Sequence, residues 1–338
     1  MNHKGKLTIN CLSKEASICL KGVFAVFVLL HHFQQRTMYI TQPYIGKIFE
    51  LMGFLSVSIF LFFSGYGLMI SFYRNGKSYL NKFLINRLLP FYCINILLIL
   101  LSAMNKIIVG MKITVVEMFS SLFFFETIVT YGWYIQTILI FYIVFYITFN
   151  IIDNKNISFW LMFVSVFLYI VISHLMQRAP AVYISTLSFL LGIFFGKYSD
   201  KVRVLFKYKT RTLFVSICIF LIFILSSFIN TNFHNRYIFR SLSSPFFAVA
   251  ILMFVEIIYE YNRKLVTNKV TRSLGKLSLE IYVSQGFFFD MFHSELIYIN
   301  NNYMYIILVT ICTFLFSVLI HPLFSTIYSW FRKLGRNN

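Results

Sequence analysis

The chain has 338 residues, 59% of them hydrophobic and only 12% charged, with 42 phenylalanines and a formal net charge of +19. A soluble domain is roughly a quarter charged, so this composition excludes a water-soluble globular protein. The cations are spread over short connections between apolar runs and form no long basic stretch. That excludes a nucleic-acid-binding domain and fits the Lys and Arg bias of cytoplasmic loops in membrane proteins.

Apolar runs long enough for a helix to cross a hydrocarbon core of about 30 Å recur along the whole sequence. They predict ten spans, near residues 16–34, 49–73, 88–109, 133–152, 157–175, 182–197, 212–229, 241–260, 275–293 and 304–331. The alternation of a barrel strand is absent. The expected fold is an all-α membrane protein: a polytopic helical bundle of about ten transmembrane helices, a single integral membrane domain over residues 1–338 without an appended soluble domain. The five cysteines are scattered, mostly inside apolar runs, at spacings that suggest neither a metal site nor a disulfide framework.

The first run, KGVFAVFVLLHHF from Lys21 to Phe33, follows lysines as a signal peptide would. Lys21, His31 and His32 interrupt it and it lacks a small-residue cleavage site, so an uncleaved first span is expected. Eleven residues separate Lys21 from His32, which is three turns plus roughly 20°, so both lie on one helical face about 16 Å apart along the axis. His31 falls roughly 80° away. Ionisable groups inside a span are costly and usually face a cavity or a partner. Two readings fit: Lys21 snorkels to the surface while the histidines bond to neighbouring helices, or the stripe is functional.

The second span holds FLFFSGYGLM, Phe60 to Met69. Glycine there permits close helix approach; Ser64 is read first as bonding its own backbone and second as a nucleophile, and Tyr66 as packing or as a hydrogen-bond donor. Arg87 stands in NRLLPFY, Asn86 to Tyr92, at the start of the third span. Residues 113–126, ITVVEMFSSLFFFE, read as a half-buried or re-entrant helix more than as a span. GWYIQTILIFY, Gly132 to Tyr142, opens the fourth span with Trp133 and Tyr134, which are interfacial anchors or a platform for sugar stacking. Glu256 lies near the inner end of the eighth span, and Glu280 lies within the ninth, in LGKLSLEIYVSQ. An unpaired carboxylate at such depth is costly, so each is expected in a structural ion pair; for Glu280 a lysine, arginine or histidine of another helix should serve, with Lys21 at a similar depth.

Counting cations by side fixes an expected orientation. One set of connections holds 22: Lys4, Lys6 and Lys14, Arg74, Lys77, Lys82 and Arg87, Lys155, six from Lys197 to Arg211, five from Arg263 to Lys276, and Arg332, Lys333 and Arg336. The other holds 7: Arg36, Lys47, Lys106, Lys112, Arg178, Arg236 and Arg240, with Lys21 completing the 30. Both termini are therefore expected in the cytoplasm. The outer connections also carry Glu117, Glu126, His174, His234, His293 and Glu295, which fit solvated loop positions or glycan contacts equally well.

These motifs, in this order, resemble the acyltransferase-3 family of integral membrane acyltransferases. A basic residue, ten residues and a histidine in the first span match Lys21 and His32, with Lys in the place often taken by Arg. FLFFSGYGLM is similar to the family's Phe-rich Ser-Gly-Tyr/Phe signature, and NRLLPFY resembles its Arg-x-x-Pro start to the third span, the usual arginine cluster being thinned to Lys82 and Arg87. GWYIQTILIFY resembles its Trp-led fourth span. LGKLSLEIYVSQ, which contains Tyr282, resembles Leu-Gly-x-x-Ser-x-x-x-Tyr-Leu-x-His, with Gln285 where histidine is common.

The resemblance implies transfer of an acyl group, most often acetyl, from acyl-CoA to hydroxyls of a cell-surface polysaccharide or lipid-linked saccharide, in a multi-pass protein of the cell membrane. A sugar hydroxyl needs a base to take its proton as it attacks, and a buried, neutral imidazole suits that role, so His32 is the expected general base. Lys21 and Arg87 are the expected contacts for the coenzyme A phosphates, with Ser64, Tyr66, Trp133, Glu280 and Tyr282 as substrate or supporting residues. No metal and no bound cofactor are expected; acyl-CoA enters as co-substrate. The alternatives are an exporter or succinyltransferase of the same family, a flippase of lipid-linked sugars, or a glycan polymerase.

Overall fold

A chain in hydrocarbon has to satisfy its backbone polar groups internally, and the α-helix does so within one segment. The computed structural model describes residues 9–37, 43–230 and 232–337; Lys4 and Lys6 of the basic set lie outside the described residues, as do the side chains of Lys47, His234 and Arg336. Ten principal helices follow in chain order: α1 (Lys14–Arg36), α2 (Pro43–Asn75), α3 (Leu89–Ile108), α4 (Trp133–Ile151), α5 (Lys155–Leu175), α6 (Leu187–Lys197), α7 (Lys209–Ile229), α8 (Phe233–Tyr261), α9 (Ser278–Met291) and α10 (Asn302–Asn337). Among the described residues, nine helices are long and apolar enough to cross a membrane. The chain is an all-α polytopic membrane protein.

The run predicted as the ninth span is the exception. A turn at Leu277 divides it, leaving the basic helix Lys269–Lys276 on one side and α9 on the other. The 14 residues of α9 make a rod of about 21 Å, shorter than the hydrocarbon core. The ambiguous segment 113–126 is an eight-residue helix, Val115–Leu122, started by a reciprocal cap between Thr114 and Glu117 and showing Val115, Val116 and Phe119 on its surface.

Two compact units divide the chain. The first comprises Met1–Phe24, Phe54–Arg74 and Val166–Lys276. Here α2 and α6 meet backbone to backbone: a Cβ on Gly65 would overlap the Phe189 carbonyl, and one on Gly192 that of Phe62. Ser185 Oγ donates to Phe54 O at 2.8 Å across the same pair of segments. The glycine of the Ser64-Gly65-Tyr66 motif is thus a packing device, since small residues let membrane helices approach closely. Gly275 of LGKLSLEIYVSQ repeats the device against Ile18 O and Gly22.

Glu256, expected in an ion pair, is instead held by the backbone. Its carboxylate accepts from Asn10 N (3.1 Å), Asn10 Nδ2 (3.0 Å) and Cys11 N (2.7 Å). The unsatisfied N–H groups at the start of the turn Asn10–Leu12 supply the positive end that a cation would otherwise provide. Glu15, by contrast, does bind cations, Arg263 at 2.5 Å and Arg272.

The second unit comprises Ala25–Gly53, Asn75–Ser165 and Leu277–Asn338. The C-terminal part of α1 packs on α9 and α10 through Leu29, Phe33, Phe289, Tyr305 and Val309. Tyr305 is fully buried and donates its hydroxyl to Phe289 O at 3.2 Å. Near the other end of α9, Glu280 lies 2.7 Å from Nδ1 of His321 on α10. The buried carboxylate therefore has the histidine partner that one of the expected residue types allowed.

Candidate functional site

His32 sits in the last two turns of α1, within the second unit, with 6% of its surface exposed. Its Nδ1 is 2.9 Å from Gln35 Oε1, one turn on. With that amide oxygen facing the ring, Nδ1 carries the hydrogen and Nε2 keeps its lone pair. Tyr131 stacks on the imidazole, ring centroids 3.4 Å apart and planes 19° from parallel, and Phe289 meets it edge-on at 6.2 Å. His31 points elsewhere: its Nδ1 is 2.8 Å from Phe49 O, and its ring fills the space left by Gly53.

The residue covering His32 is itself held in an uncommon conformation. Tyr131 has φ +65°, in the left-handed region that costs a residue with a Cβ about 1–2 kcal/mol. Such a conformation persists only where its surroundings over-determine it, and here several contacts do. Arg36 Nε donates to Tyr131 Oη at 3.2 Å, and Tyr282 Oη donates to the Tyr131 carbonyl at 2.9 Å. Arg36 Nη2 is 3.0 Å from Asp290 Oδ1, and Thr130 Oγ1 donates to Asp290 Oδ2. Gly286 lets α9 pass the Thr130 carbonyl, where a Cβ would collide. Burial pushes the Tyr131 hydroxyl above the ordinary phenol range, so it stays protonated. Beside this group His293 stacks on Tyr305 at 3.8 Å, and burial together with the Arg36 charge holds its pKa below the ordinary imidazole value.

Arg87 marks a second polar place in the same unit. It lies on a wide helical turn, Leu84–Leu88, with i to i+5 hydrogen bonding, a distortion that recurs at functional positions. Asn75, Ser78, Tyr79, Lys82, Phe83, Asn86 and Arg87 line a cavity of about 260 Å³. Lys82 Nζ donates to Gly335 O at 2.9 Å along its rim. From there α3 carries Asn95, Ser102 and Asn105 along one face, all buried, and Asn105 Nδ2 donates to Phe287 O of α9 at 3.2 Å. Among the described residues, Asn95 Nδ2, Ser102 Oγ, Ser284 Oγ, Gln285 Oε1 and Thr313 Oγ1 are buried without a hydrogen-bond partner. These groups come from α3, α9 and α10, which pack on one another. Each such atom costs about 1–3 kcal/mol, so this interior is poor as a sealed core and suited to a polar guest. Arg87 and Asn105 are about 27 Å apart along the helix axis.

The remaining expected residues are distributed as follows. Lys21, Ser64 and Tyr66 are half-buried in the first unit. Trp133 is half-buried and edge-on to Tyr134, which is edge-on to Tyr282 at 5.2 Å. Within the second unit, then, His32 and Tyr282 are joined through Tyr131, while Gly65 and the backbone of Tyr66 belong to the α2–α6 packing of the first. Gln35, Arg36, Thr130, Tyr131 and Asp290 were not singled out as site residues by the sequence. Arg36 and Asp290 do carry a signal in retrospect, as opposite charges at the ends of two predicted spans.

The acyltransferase-3 family model, that of an acyltransferase domain, matches residues 15–322. This chain belongs to the acyltransferase-3 family. The match includes every residue of the His32 cluster and of the Arg87 cavity, so both polar places are part of the acyltransferase-3 domain. Membership makes the chain a multi-pass membrane acyltransferase. No curated protein and no solved structure gives a match.

Proposed function

We propose that this acyltransferase-3 protein takes an acyl group, acetyl in the simplest case, from cytosolic acyl-CoA and places it on a hydroxyl of a cell-surface or lipid-linked saccharide. The observation that carries this reading is the state of His32, a buried imidazole with Nδ1 committed to Gln35 and Nε2 left to accept a proton. The acceptor oxygen attacks the thioester carbonyl while Nε2 takes the hydroxyl proton. The carbon–sulfur bond breaks, and the leaving thiolate takes the proton back from the imidazolium. An enzyme hydroxyl that relays the acyl group would be activated in the same way.

On the orientation that the cation bias supports, the Arg87 cavity faces the cytoplasm, and the coenzyme A phosphates meet Arg87 and Lys82 there. The buried polar atoms of Asn95, Ser102, Ser284, Gln285 and Thr313 then offer partners to the amide-bearing arm that carries the thioester toward His32. Lys21, two turns into α1 in the first unit, is the other candidate contact for the donor that the family resemblance implies.

Membrane vesicles supplied with acetyl-CoA, read by release of the free thiol, test the reading. General-base catalysis is worth roughly 10²- to 10⁴-fold, so His32→Gln at unchanged protein level is expected to lose at least a hundredfold in rate. A charge-assisted hydrogen bond is worth about 1.5–3 kcal/mol, so Arg87→Gln is expected to raise the apparent KM for acetyl-CoA about tenfold or more with a smaller change in kcat. Lys21→Gln should move KM in the same direction. Full activity of His32→Gln would remove the imidazole from the mechanism.

A further inference from the structure

We propose that the Arg36–Asp290 pair is a latch holding the Tyr131 ring as a removable cover on His32, which makes Asp290 a positioning residue for a histidine it does not touch. The inference rests on the reading of His32 as proton acceptor for its consequence in catalysis, but not for its geometry.

The chain of contacts from Asp290 to His32 is continuous. Asp290 fixes the guanidinium from one side, Nη2 to Oδ1 at 3.0 Å, and the guanidinium fixes the phenol, Nε to Oη at 3.2 Å. The phenol ring lies flat on the imidazole at 3.4 Å. Thr130 ties the second carboxylate oxygen back to the loop that carries Tyr131. The latch is partly open to its surroundings, with the Arg36 side chain 34% exposed and that of Asp290 11%. The histidine beneath is almost sealed, at 6%.

That contrast decides between a fixed wall and a cover. A ring buried as part of the core needs no charged clamp at its edge. An acceptor hydroxyl has to come within hydrogen-bond reach of Nε2, and an imidazole with only 6% of its surface exposed gives it little room unless a neighbour such as the stacked Tyr131 ring moves. The left-handed backbone at Tyr131 persists only where its surroundings hold it, and with its carbonyl tied to Tyr282 the ring itself is free to turn once Arg36 or Asp290 takes another partner. The half-exposed position of Arg36 lets an arriving polar acceptor be that partner. Closed, the ring keeps water from the imidazole and fixes its plane.

Diethyl pyrocarbonate, which acylates neutral and accessible imidazole, reads the cover directly, with each histidine followed by peptide mass spectrometry on the full-length protein in detergent or nanodiscs. In the unsubstituted protein His32 is expected to react at least tenfold more slowly than the part-exposed His321. Tyr131→Ala sets the fully uncovered rate. Asp290→Asn and Tyr131→Phe each break one joint of the latch and are expected to raise the His32 rate about three- to tenfold, while His174 and His321 stay at their original rates. Combining Asp290→Asn with Tyr131→Phe should add little, because both act through one hydrogen bond.

An unchanged His32 rate in Asp290→Asn alongside acceleration in Tyr131→Ala would overturn the latch. An unchanged rate in Tyr131→Ala would overturn the cover itself. Acceleration of all histidines together in both conservative variants would show a role in folding only, and would likewise overturn the assignment. In the acetyl-CoA assay the latch variants should change kcat and leave the donor KM in place, as expected for a group acting on His32 and not on the donor. If thiol release is absent from the unsubstituted protein, the proposed function fails while the labelling pattern still judges the latch.

Discussion

His32 and Lys21 were legible as candidates because their spacing is local: eleven residues on a helix is a geometric fact. The surroundings of His32 were not legible. Arg36 and Asp290 are separated by 254 positions, and nothing local in a sequence links a cation at the end of one span to a carboxylate at the end of another. Tyr131 is hidden for a different reason, since its part depends on a left-handed backbone that favours glycine or asparagine and is imposed by tertiary contacts. Glu280 shows the intermediate case. The cost of burial required a partner, but only the fold named His321. Breaking a buried pair is worth 3–5 kcal/mol at most, and His321 is part-exposed, so His321→Ala is expected to destabilise by about 1–3 kcal/mol. The check is a drop in the thermal unfolding temperature in detergent, with Glu280→Gln losing less because a neutral amide needs no counter-charge.

At the scale of elements, hydropathy located nine of the ten predicted spans, because a long apolar run can satisfy its backbone in lipid only as a helix or within a barrel. The run 275–293 is the one that divides, at Leu277; Lys276, Ser278 and Glu280 interrupt its apolar character there, but no proline marks the break. The Ser64-Gly65-Tyr66 motif was legible as a place and ambiguous as a role. The overlap that a Cβ on Gly65 would create with Phe189 O assigns its glycine to packing. Gly65→Val should therefore lower the yield of folded protein, by about 1–3 kcal/mol of overpacking strain, and fluorescence-detected size-exclusion chromatography will show it as loss of the monodisperse peak. Retention of a normal peak would mean that α2 and α6 can part there without cost.

For the whole molecule, family and polytopic class follow from the ordered motifs and the matched domain, while direction and acceptor are proposals drawn from charge and chemistry. A cysteine placed at Lys201 or Lys276 in a cysteine-free background is expected to react with an impermeant maleimide only after cells are opened, and one at Lys112 or Arg178 in intact cells. The reverse pattern would invert the proposed path from donor to acceptor. The most direct test of a transferase working across the membrane is the ester content of the surface glycan. Mass spectrometry before and after mild base should find base-labile acyl groups on glycan from cells carrying the intact gene, and none from cells carrying the His32→Gln form at equal protein level. Equal ester content in the two, or a change in glycan chain length or export without any change in esters, would contradict it.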